Sequence, residues 1–306
     1  FRSQKEIFKD IFKRIKSANF ANANSIYTNV INDDIELVIE AKKKGIYIVH
    51  EVIINPNINQ IYLREIKRFP TLKSNKNEND SNKIKDDKDL LKLNLADRIL
   101  VPSEYIYREV IKKGISRNFI SIVKPYMSDR NLLEIKTKPK KGRILFVGQI
   151  SMMKGIHHFA KACRVLKGKG FLYEFIAVGK GSLNLKNPLL HGPKYLGYLN
   201  KHDLMNYYIS SDVFVLPSLS DAFPYSHIEA MACGIPVIMT NSCGSFVDDG
   251  ENGFLLNYEE LGILANKIME IVENRPLRKK FSENARKRVE DYKLSDFYKK
   301  LDQALN

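Results

Sequence analysis

Short apolar runs alternate with amphipathic segments along most of the chain. In the first part, residues 25–30, 46–53 and 98–101 are predicted strands, a helix is predicted at 34–44, and another helix starts at Ser103. In the second part, predicted strands at 143–147, 174–178 and 213–216 are interspersed with a helix at 155–166. Regular alternation of the two periodicities predicts an α/β fold with parallel sheets.

The remaining segments predict how these elements are grouped. Residues 4–16 predict an amphipathic helix that either packs on the first sheet or lies with its basic face on a membrane. Residues 71–89 are polar and predict a loop or insertion without chemistry, and further helices are predicted at 277–292 and from Ser295. The lysine-rich segment 136–142 predicts a linker, so we expect domains at 1–142 and 143–306.

Composition adds constraints on location and partners. No apolar run reaches the ~18 residues of a membrane span, and no signal-peptide core follows Phe1, so we expect a cytoplasmic protein. The net charge is +15, of which residues 1–142 carry +11. That charge can attract anionic lipid or a phosphorylated acceptor, or it is simply a solvated lysine-rich surface. Nucleic acid is not expected as a partner because no binding motif accompanies the charge.

Cysteines and histidines give no sign of a metal site. The three cysteines, at positions 163, 233 and 243, show no ligand spacing and are expected to be reduced structural thiols. Cys243 follows a strand but has no positioned base, so it is not expected to be a nucleophile. The pairs His157-His158 and His202-Asp203, and the single His191, do not repeat at a spacing that converges on one ion. No metal is predicted.

Two carboxylates mark the most informative segment, residues 217–237. Asp221 lies in the loop that follows the apolar strand 213–216, and Glu229 lies eight residues later in a predicted helix, 224–233. We expect Glu229 in the opening turn of that helix, where it is either a ligand-binding or a capping group. Because ligands of doubly wound domains bind at the carboxyl ends of the strands, the segment predicts a ligand site.

This segment resembles the Glu-x7-Glu motif of family 4 retaining glycosyltransferases. Further matches follow in the family's order at Phe146-Val147-Gly148-Gln149, Lys154-Gly155, Leu196-Gly197-Tyr198 and Gly250-Glu251-Asn252-Gly253-Phe254. The resemblance implies the GT-B architecture, in which two Rossmann-like domains face a cleft. It also implies that the last helix, about 295–306, crosses back to the first domain.

The resemblance assigns roles to individual residues. Lys154, with Gln149, would contact the donor diphosphate, Glu229 the ribose, and Asp221 the transferred sugar. The remaining expected donor contacts are Gly197 and Tyr198 near the base, and the turn residues Phe223, Tyr225 and Ser226. Three alternatives stay open: Tyr198 as a core aromatic, Ser226 and His227 as solvent-facing cap residues, and His50 as a structural histidine rather than a catalytic contact to the sugar.

The chain departs from the family pattern in three places. Gln149 stands where a basic residue is usual, and Pro224 replaces the usual glycine and so removes one amide donor. The opening strand and glycine-rich loop of the first domain are not found before the first helix, so that domain is expected to be incomplete at its N-terminus. These departures keep a non-catalytic binding protein or an inactive fragment as the main alternative.

The function expected from the resemblance is transfer of a sugar, with retention and without metal or cofactor, from a nucleotide sugar. The acceptor can be a glycan, a lipid-linked sugar or a small molecule, and a membrane-bound acceptor would place the protein at the inner face of a membrane. A sugar-nucleotide epimerase on the same scaffold is less favoured because no acid/base pair is evident.

Overall fold

The computed structural model describes residues 13–15, 17–29, 34–72, 88–127 and 129–305. Within them the chain forms two compact units. The first unit comprises Phe1–Pro56, Asn77–Lys124 and Lys300–Asn306, and the second comprises Asn57–Lys76 and Pro125–Lys299. The helix predicted at 4–16 lies outside the described residues except for part of its last turn, and most of the polar tract 71–89 lies outside them too.

The helices and strands are numbered in chain order. The helices are α1 (Ile35–Lys43), α2 (Ile58–Arg68), α3 (Glu104–Ile111), α4 (Ile156–Gly168), α5 (Lys201–Ser210), α6 (Tyr225–Ala232), α7 (Leu264–Glu273), α8 (Arg275–Glu290) and α9 (Leu294–Leu305). Residues 88–95 are also helical. The strands are β1 (Ser25–Asn29), β2 (Tyr47–Glu51), β3 (Arg98–Val101), β4 (Ile120–Ile122), β5 (Arg143–Val147), β6 (Glu174–Val178), β7 (Lys194–Gly197), β8 (Val213–Leu216), β9 (Val237–Thr240) and β10 (Gly253–Leu256).

The first unit is built on a parallel sheet. Its described strands pair in the order β1-β2-β3-β4. The helix α3 begins at Ser103, whose side-chain oxygen accepts a hydrogen bond from the Ile106 N–H at 3.3 Å, a standard N-cap. The end of α9 belongs to this unit, where Ala304 packs with Val49 and Leu100.

The second unit contains a larger parallel sheet with the strand order β10-β9-β8-β5-β6-β7. Its central strands β8 and β9 are buried along their whole length, as expected when helices cover both faces of a parallel sheet. Strand order runs outward from β5 through β6 to β7 and then restarts at β8 on the other side. The junction of β5 and β8 is therefore a topological switch point, where such sheets bind ligands.

Most predicted strands agree closely with the structure, but the division of the chain into units differs from the predicted domain boundary. The strands predicted at 98–101, 143–147, 174–178 and 213–216 have the same bounds in the structure. The predicted boundary near residue 142 differs from the division by contacts, which places residues 125–142 and α2 in the second unit. In the predicted linker, the Lys138 and Lys140 N–H groups bond to the Ile209 and Ser210 carbonyls, both at 2.9 Å. Among the described residues, every helix is too short or too polar to span a bilayer.

Candidate functional site

Two loops meet at the switch point of the second unit. One connects β5 to α4, and the other connects β8 to α6. The Leu219 N–H donates a hydrogen bond to the Met153 carbonyl at 2.8 Å, which joins the loops directly. Gly155 makes the approach possible, because its φ is +70° and an added Cβ would lie 1.9 Å from the Pro217 carbonyl oxygen. Only glycine tolerates both the left-handed backbone and this distance.

The joined loops bring together two of the three predicted catalytic groups, Lys154 and Asp221. The Lys154 Nζ forms an ion pair with Asp221 Oδ2, and the two side chains are 26% and 12% exposed. The Asp221 backbone is fixed from the other side, since its N–H donates to the Ser242 carbonyl at 3.1 Å and its carbonyl accepts from the Gly244 N–H at 3.0 Å. The carboxylate is thus held on a rigid loop while its partner remains within reach of solvent.

The glycine pair at 179 and 181 has a packing role. An added Cβ at Gly179 would lie 1.9 Å from the Gly148 carbonyl oxygen, and one at Gly181 would lie 1.8 Å from that of Ile150. The loop after β6 therefore packs directly against the loop after β5. Gln149 lies between these contacts with an exposed side chain, so the contacts shape the backbone beside the predicted diphosphate position.

The end of β7 presents an aromatic ring to solvent. Gly197 has a φ of +70° and its carbonyl accepts from the Gly179 N–H at 2.8 Å. The next residue, Tyr198, is 71% exposed, and the Lys180 Nζ lies 5.6 Å from its ring centroid. The alternative that Tyr198 is a core aromatic is therefore wrong. An exposed ring beside a strand end is available for stacking on a planar ligand.

Glu229 is held by a buried tyrosine. It is the fifth residue of α6, so it lies beyond the first turn of 3.6 residues, and the expectation of an opening-turn position is wrong. The Tyr208 hydroxyl donates to Glu229 Oε2 at 2.8 Å and also lies 3.3 Å from the Ser226 carbonyl. Burial raises the pKa of Glu229, although the Tyr208 hydrogen bond and Lys201 act in the opposite direction. The carboxylate is thus oriented rather than used as a cap.

The turn between the acids is stabilised by an aromatic cluster. Phe223 is buried, with its ring 5.2 Å from that of His227 and 5.3 Å from that of Phe246. His227 is fully buried: its Nδ1 bonds to the Pro224 carbonyl, and its Nε2 accepts from the Phe246 N–H at 3.2 Å. The alternative that His227 faces solvent is therefore wrong. Tyr225, in contrast, is 59% exposed.

His50 lies in the first unit, as the fourth residue of β2. It is fully buried, and neither ring nitrogen has a hydrogen-bond partner among the described residues. Burial, reinforced by the charge of Lys92, lowers the pKa of His50 to about 4, while Asp34 acts in the opposite direction. His50 is therefore a neutral imidazole near neutral pH, beside a buried lysine–aspartate pair.

The cysteines are as predicted. All three are free and buried. Burial raises the pKa of the Cys243 thiol to about 12, which leaves the thiol protonated and unsuited to nucleophilic attack.

Sequence reasoning missed one cluster in the second unit. Glu65 of α2 places its Oε1 atom 2.7 Å from the His157 Nε2 and 2.8 Å from the His158 Nε2. The expectation that no histidines converge is wrong for this pair. Burial alone raises the pKa of Glu65, but the hydrogen bonds from the two histidines outweigh it and hold that pKa well below its usual range. The adjacent histidines were visible in the sequence, but their partner is 92 residues away.

Comparison with known proteins shows a family match and several similar proteins. The family model of the glycosyl transferases group 1 matches residues 129–288, more than half of the chain. The Staphylococcus aureus capsular polysaccharide biosynthesis glycosyltransferase CapM is 31% identical over 156 residues, which are 48% of this chain and 40% of CapM.

A second relative and a solved structure extend the comparison. The Escherichia coli UDP-Gal:alpha-D-GlcNAc-diphosphoundecaprenol alpha-1,3-galactosyltransferase is 28% identical over 204 residues, 60% of this chain and 51% of the relative. The chain thus spans about half the length of the curated relatives it matches. The sucrose-phosphate synthase of Thermosynechococcus elongatus superposes with a TM-score of 0.72 at 18% identity, covering 99% of this chain and 79% of the synthase. The fold is GT-B, with one parallel α/β sheet in each unit.

Proposed function

The chain belongs to the glycosyl transferases group 1, and on this premise we propose that it transfers a hexosyl residue from a nucleotide sugar to an acceptor hydroxyl with retention of configuration. The observation that carries the proposal is the Lys154–Asp221 ion pair at the junction of β5 and β8. The two residues are 67 positions apart, and the family resemblance assigned each of them a donor contact. Their meeting at the switch point supports a shared site.

The proposed reaction separates charge at the diphosphate. The bond between the anomeric carbon and the diphosphate oxygen breaks, and its electron pair leaves with the nucleoside diphosphate. The acceptor oxygen bonds to the same face of the anomeric carbon, and its proton is released. Lys154 would stabilise the negative charge that grows on the leaving group, because a cation fixed at that position interacts most strongly with the transition state.

Lys154 and Asp221 would exchange partners when donor binds. A diphosphate has more negative charge than one carboxylate, so Lys154 would turn towards it, and Asp221 would be released to accept hydrogen bonds from the sugar hydroxyls. The dipole of α4 adds to the attraction for phosphate at the same loop. Gln149 would contribute a neutral donor there.

The nucleoside would be held by the opposite part of the site. Glu229, oriented by Tyr208, would accept hydrogen bonds from the ribose diol, and Tyr198 with the Gly197 backbone would contact the base. The backbone amides of Phe223, Tyr225 and Ser226 would face the sugar and phosphate. Phe223 would contribute through its backbone alone, because its side chain is buried in the core. The proposed contacts do not include His50, whose side chain is fully buried in β2.

The substrate class follows from the relatives' names. CapM is named for capsular polysaccharide biosynthesis, and the Escherichia coli relative is named as a UDP-galactose-dependent enzyme with a diphosphoundecaprenol-linked acceptor. We therefore propose a UDP-sugar donor and a lipid-linked sugar acceptor, with the protein on the cytoplasmic face of a membrane. The basic charge of residues 1–142 suits an anionic surface of that kind. The steps above require no metal or cofactor.

The test is calorimetry and turnover with UDP-, GDP- and ADP-sugars. We expect a UDP-sugar to bind, Glu229→Ala to weaken its binding by about 1–3 kcal/mol, and Lys154→Ala to lower kcat more than affinity. Lys161→Ala, an exposed lysine on α4, is the matched control and should change neither quantity. Unchanged affinity in Glu229→Ala would remove the assigned site, and donor binding without transfer to any acceptor would favour the non-catalytic alternative.

A further inference from the structure

A buried group of metal-binding side chains lies outside the proposed donor contacts. Glu65, His157 and His158 are the only described residues whose histidine, cysteine or carboxylate ligand atoms form such a group of three, and these atoms all lie within 4.8 Å of one another. Their exposures are 2%, 2% and 6%. Two imidazoles and one carboxylate are the protein ligands of many zinc sites with an open fourth position.

We propose that Glu65 Oε1, His157 Nε2 and His158 Nε2 bind a zinc ion, with water as the fourth ligand. Zinc bonds of about 2.0–2.2 Å in tetrahedral geometry separate the ligand atoms by about 3.4 Å. Each Nε2 lies 2.7 or 2.8 Å from Oε1 in the structure, so the donors would need to separate by only about 0.6 Å. Rotation of side chains accommodates a change of that size.

The protons of the site can be placed consistently. While Glu65 accepts hydrogen bonds from both rings, each Nε2 carries a proton; as ligands, both nitrogens must be bare. The proton of a neutral imidazole then moves to Nδ1. The His157 Nδ1 is buried and has no hydrogen-bond partner among the described residues, so the N–H of that tautomer needs a water molecule as its acceptor.

The neighbouring side chains orient the proposed ligands. The Arg68 guanidinium donates to the second Glu65 oxygen at 3.1 Å, which leaves Oε1 directed at the histidines and orients the carboxylate. The Phe69 ring lies 4.7 Å from that of His157 and 5.7 Å from that of His158, and it excludes water from one side of the rings.

A bound zinc would join two elements that are distant in sequence. It would fix α2 to the first turn of α4, three residues beyond Lys154. The proposal does not depend on the donor or the acceptor, and no step of sugar transfer passes through the ion.

The test is titration of the metal-stripped chain with Zn²⁺ by calorimetry and with Co²⁺ by visible absorption. We expect one equivalent of Zn²⁺ and the absorption of tetrahedral Co²⁺. Glu65→Gln and His158→Gln should each weaken zinc binding by about 100-fold. Mutation of residues that merely support metal ligands already lowers metal affinity by about 10–100-fold, so loss of a ligand should reach the upper end of that range. His191→Gln and His202→Gln, which alter exposed histidines, are the matched controls and should bind zinc as the parent does.

Two results would overturn the proposal. One is the absence of saturable zinc binding by the parent chain, and the other is equal binding by the parent and by folded Glu65→Gln or His158→Gln. If both variants fail to fold, X-ray absorption of the zinc-loaded parent decides instead. Two imidazole ligands and one carboxylate would support the site, and any other ligand set would refute it.

Discussion

Two of the lysine–aspartate ion pairs, one taken from each unit, differ sharply in their surroundings. The side chains of Lys92 and Asp34 in the first unit are 2% and 6% exposed, whereas those of Lys154 and Asp221 in the second are 26% and 12% exposed. A fully desolvated charge that loses its partner cannot recover its hydration. A partly hydrated charge can exchange one partner for another. Burial therefore separates a pair that holds structure from a pair that can bind a ligand.

The other contacts of each pair agree with this distinction. Asp34 also accepts a hydrogen bond from Thr28 Oγ1 at 2.7 Å, and the Lys92 Nζ lies 3.3 Å from the Asn29 carbonyl. These contacts connect the start of α1 to the end of β1. Asp221, in contrast, is held within the described part of the chain through its backbone, and its carboxylate is directed at Lys154. The first pair stabilises a strand end, and the second lies on loops at the switch point.

The largest expected effect breaks the buried pair. Lys92→Met should lower the free energy of unfolding by about 3–5 kcal/mol, because the Asp34 charge is left buried without its partner. The matched change in the partly exposed pair, Lys154→Met, should cost about 1 kcal/mol or less, because the remaining Asp221 charge keeps part of its hydration. Urea unfolding of the two variants, monitored by circular dichroism, measures both values. Equal losses would contradict the distinction by burial.

The next largest effect concerns the approach of the two loops. Gly155→Ala should lower the free energy of unfolding by about 2–4 kcal/mol, since it combines left-handed strain with overpacking against the Pro217 carbonyl. The control is Gly170→Ala, where φ is +87° but no atom lies within 4 Å of the added Cβ. That control should lose only about 1 kcal/mol, from backbone strain alone.

The loop prediction also tests the origin of the Lys154–Asp221 pair. If steric contact with Pro217 sets the loop positions, a folded Gly155→Ala variant should bind nucleotide sugar more weakly than the Gly170→Ala variant. Thermal-shift titration with the same UDP-sugar compares them. Similar destabilisation in both variants would show that the close approach contributes nothing beyond the φ angle.

Burial also explains which elements could be predicted from the sequence. Strands β5 and β8 were predicted to the residue because strands buried on both faces are continuous apolar runs, which local pattern detects. Lys154 and Asp221 lie in the loops that follow these two strands, and the resemblance of those loops to the family motifs identified them. Polar residues at the ends of central parallel strands are constrained by topology, so their proximity follows from the order of elements.

Tertiary contacts between segments that are remote in sequence could not be predicted from the local sequence pattern. The His157-His158 pair gave no signal of its partner because Glu65 lies on a helix that the sequence order assigns to the first domain but that packs in the second unit. The burial of His227 depends on Phe246, which comes from the loop after β9. Side-chain exposure at a loop, as for Tyr198, is likewise set by packing rather than by residue type.

The smallest expected effect extends the comparison to Glu229. This half-buried acid has no salt-bridge partner among the described residues and accepts a hydrogen bond from Tyr208. Tyr208→Phe should weaken UDP-sugar binding by about 0.5–1.5 kcal/mol at pH 7.5, because the carboxylate loses the hydrogen bond that orients it. Tyr207→Phe, at the neighbouring position on α5, is the control and should bind as the parent does. Calorimetry at constant ionic strength gives the three affinities.

The pH dependence of donor binding tests the role of the Tyr208 hydrogen bond. Burial raises the pKa of Glu229, so its ionised form, which accepts hydrogen bonds from the ribose, is lost as pH falls through that raised pKa. Donor affinity should therefore fall on acidification at a higher pH than an ordinary glutamate would give. The Tyr208 hydroxyl lowers the pKa of Glu229, so Tyr208→Phe should move the fall to still higher pH. A fall at the same pH in parent and variant would mean that Tyr208 acts only through packing.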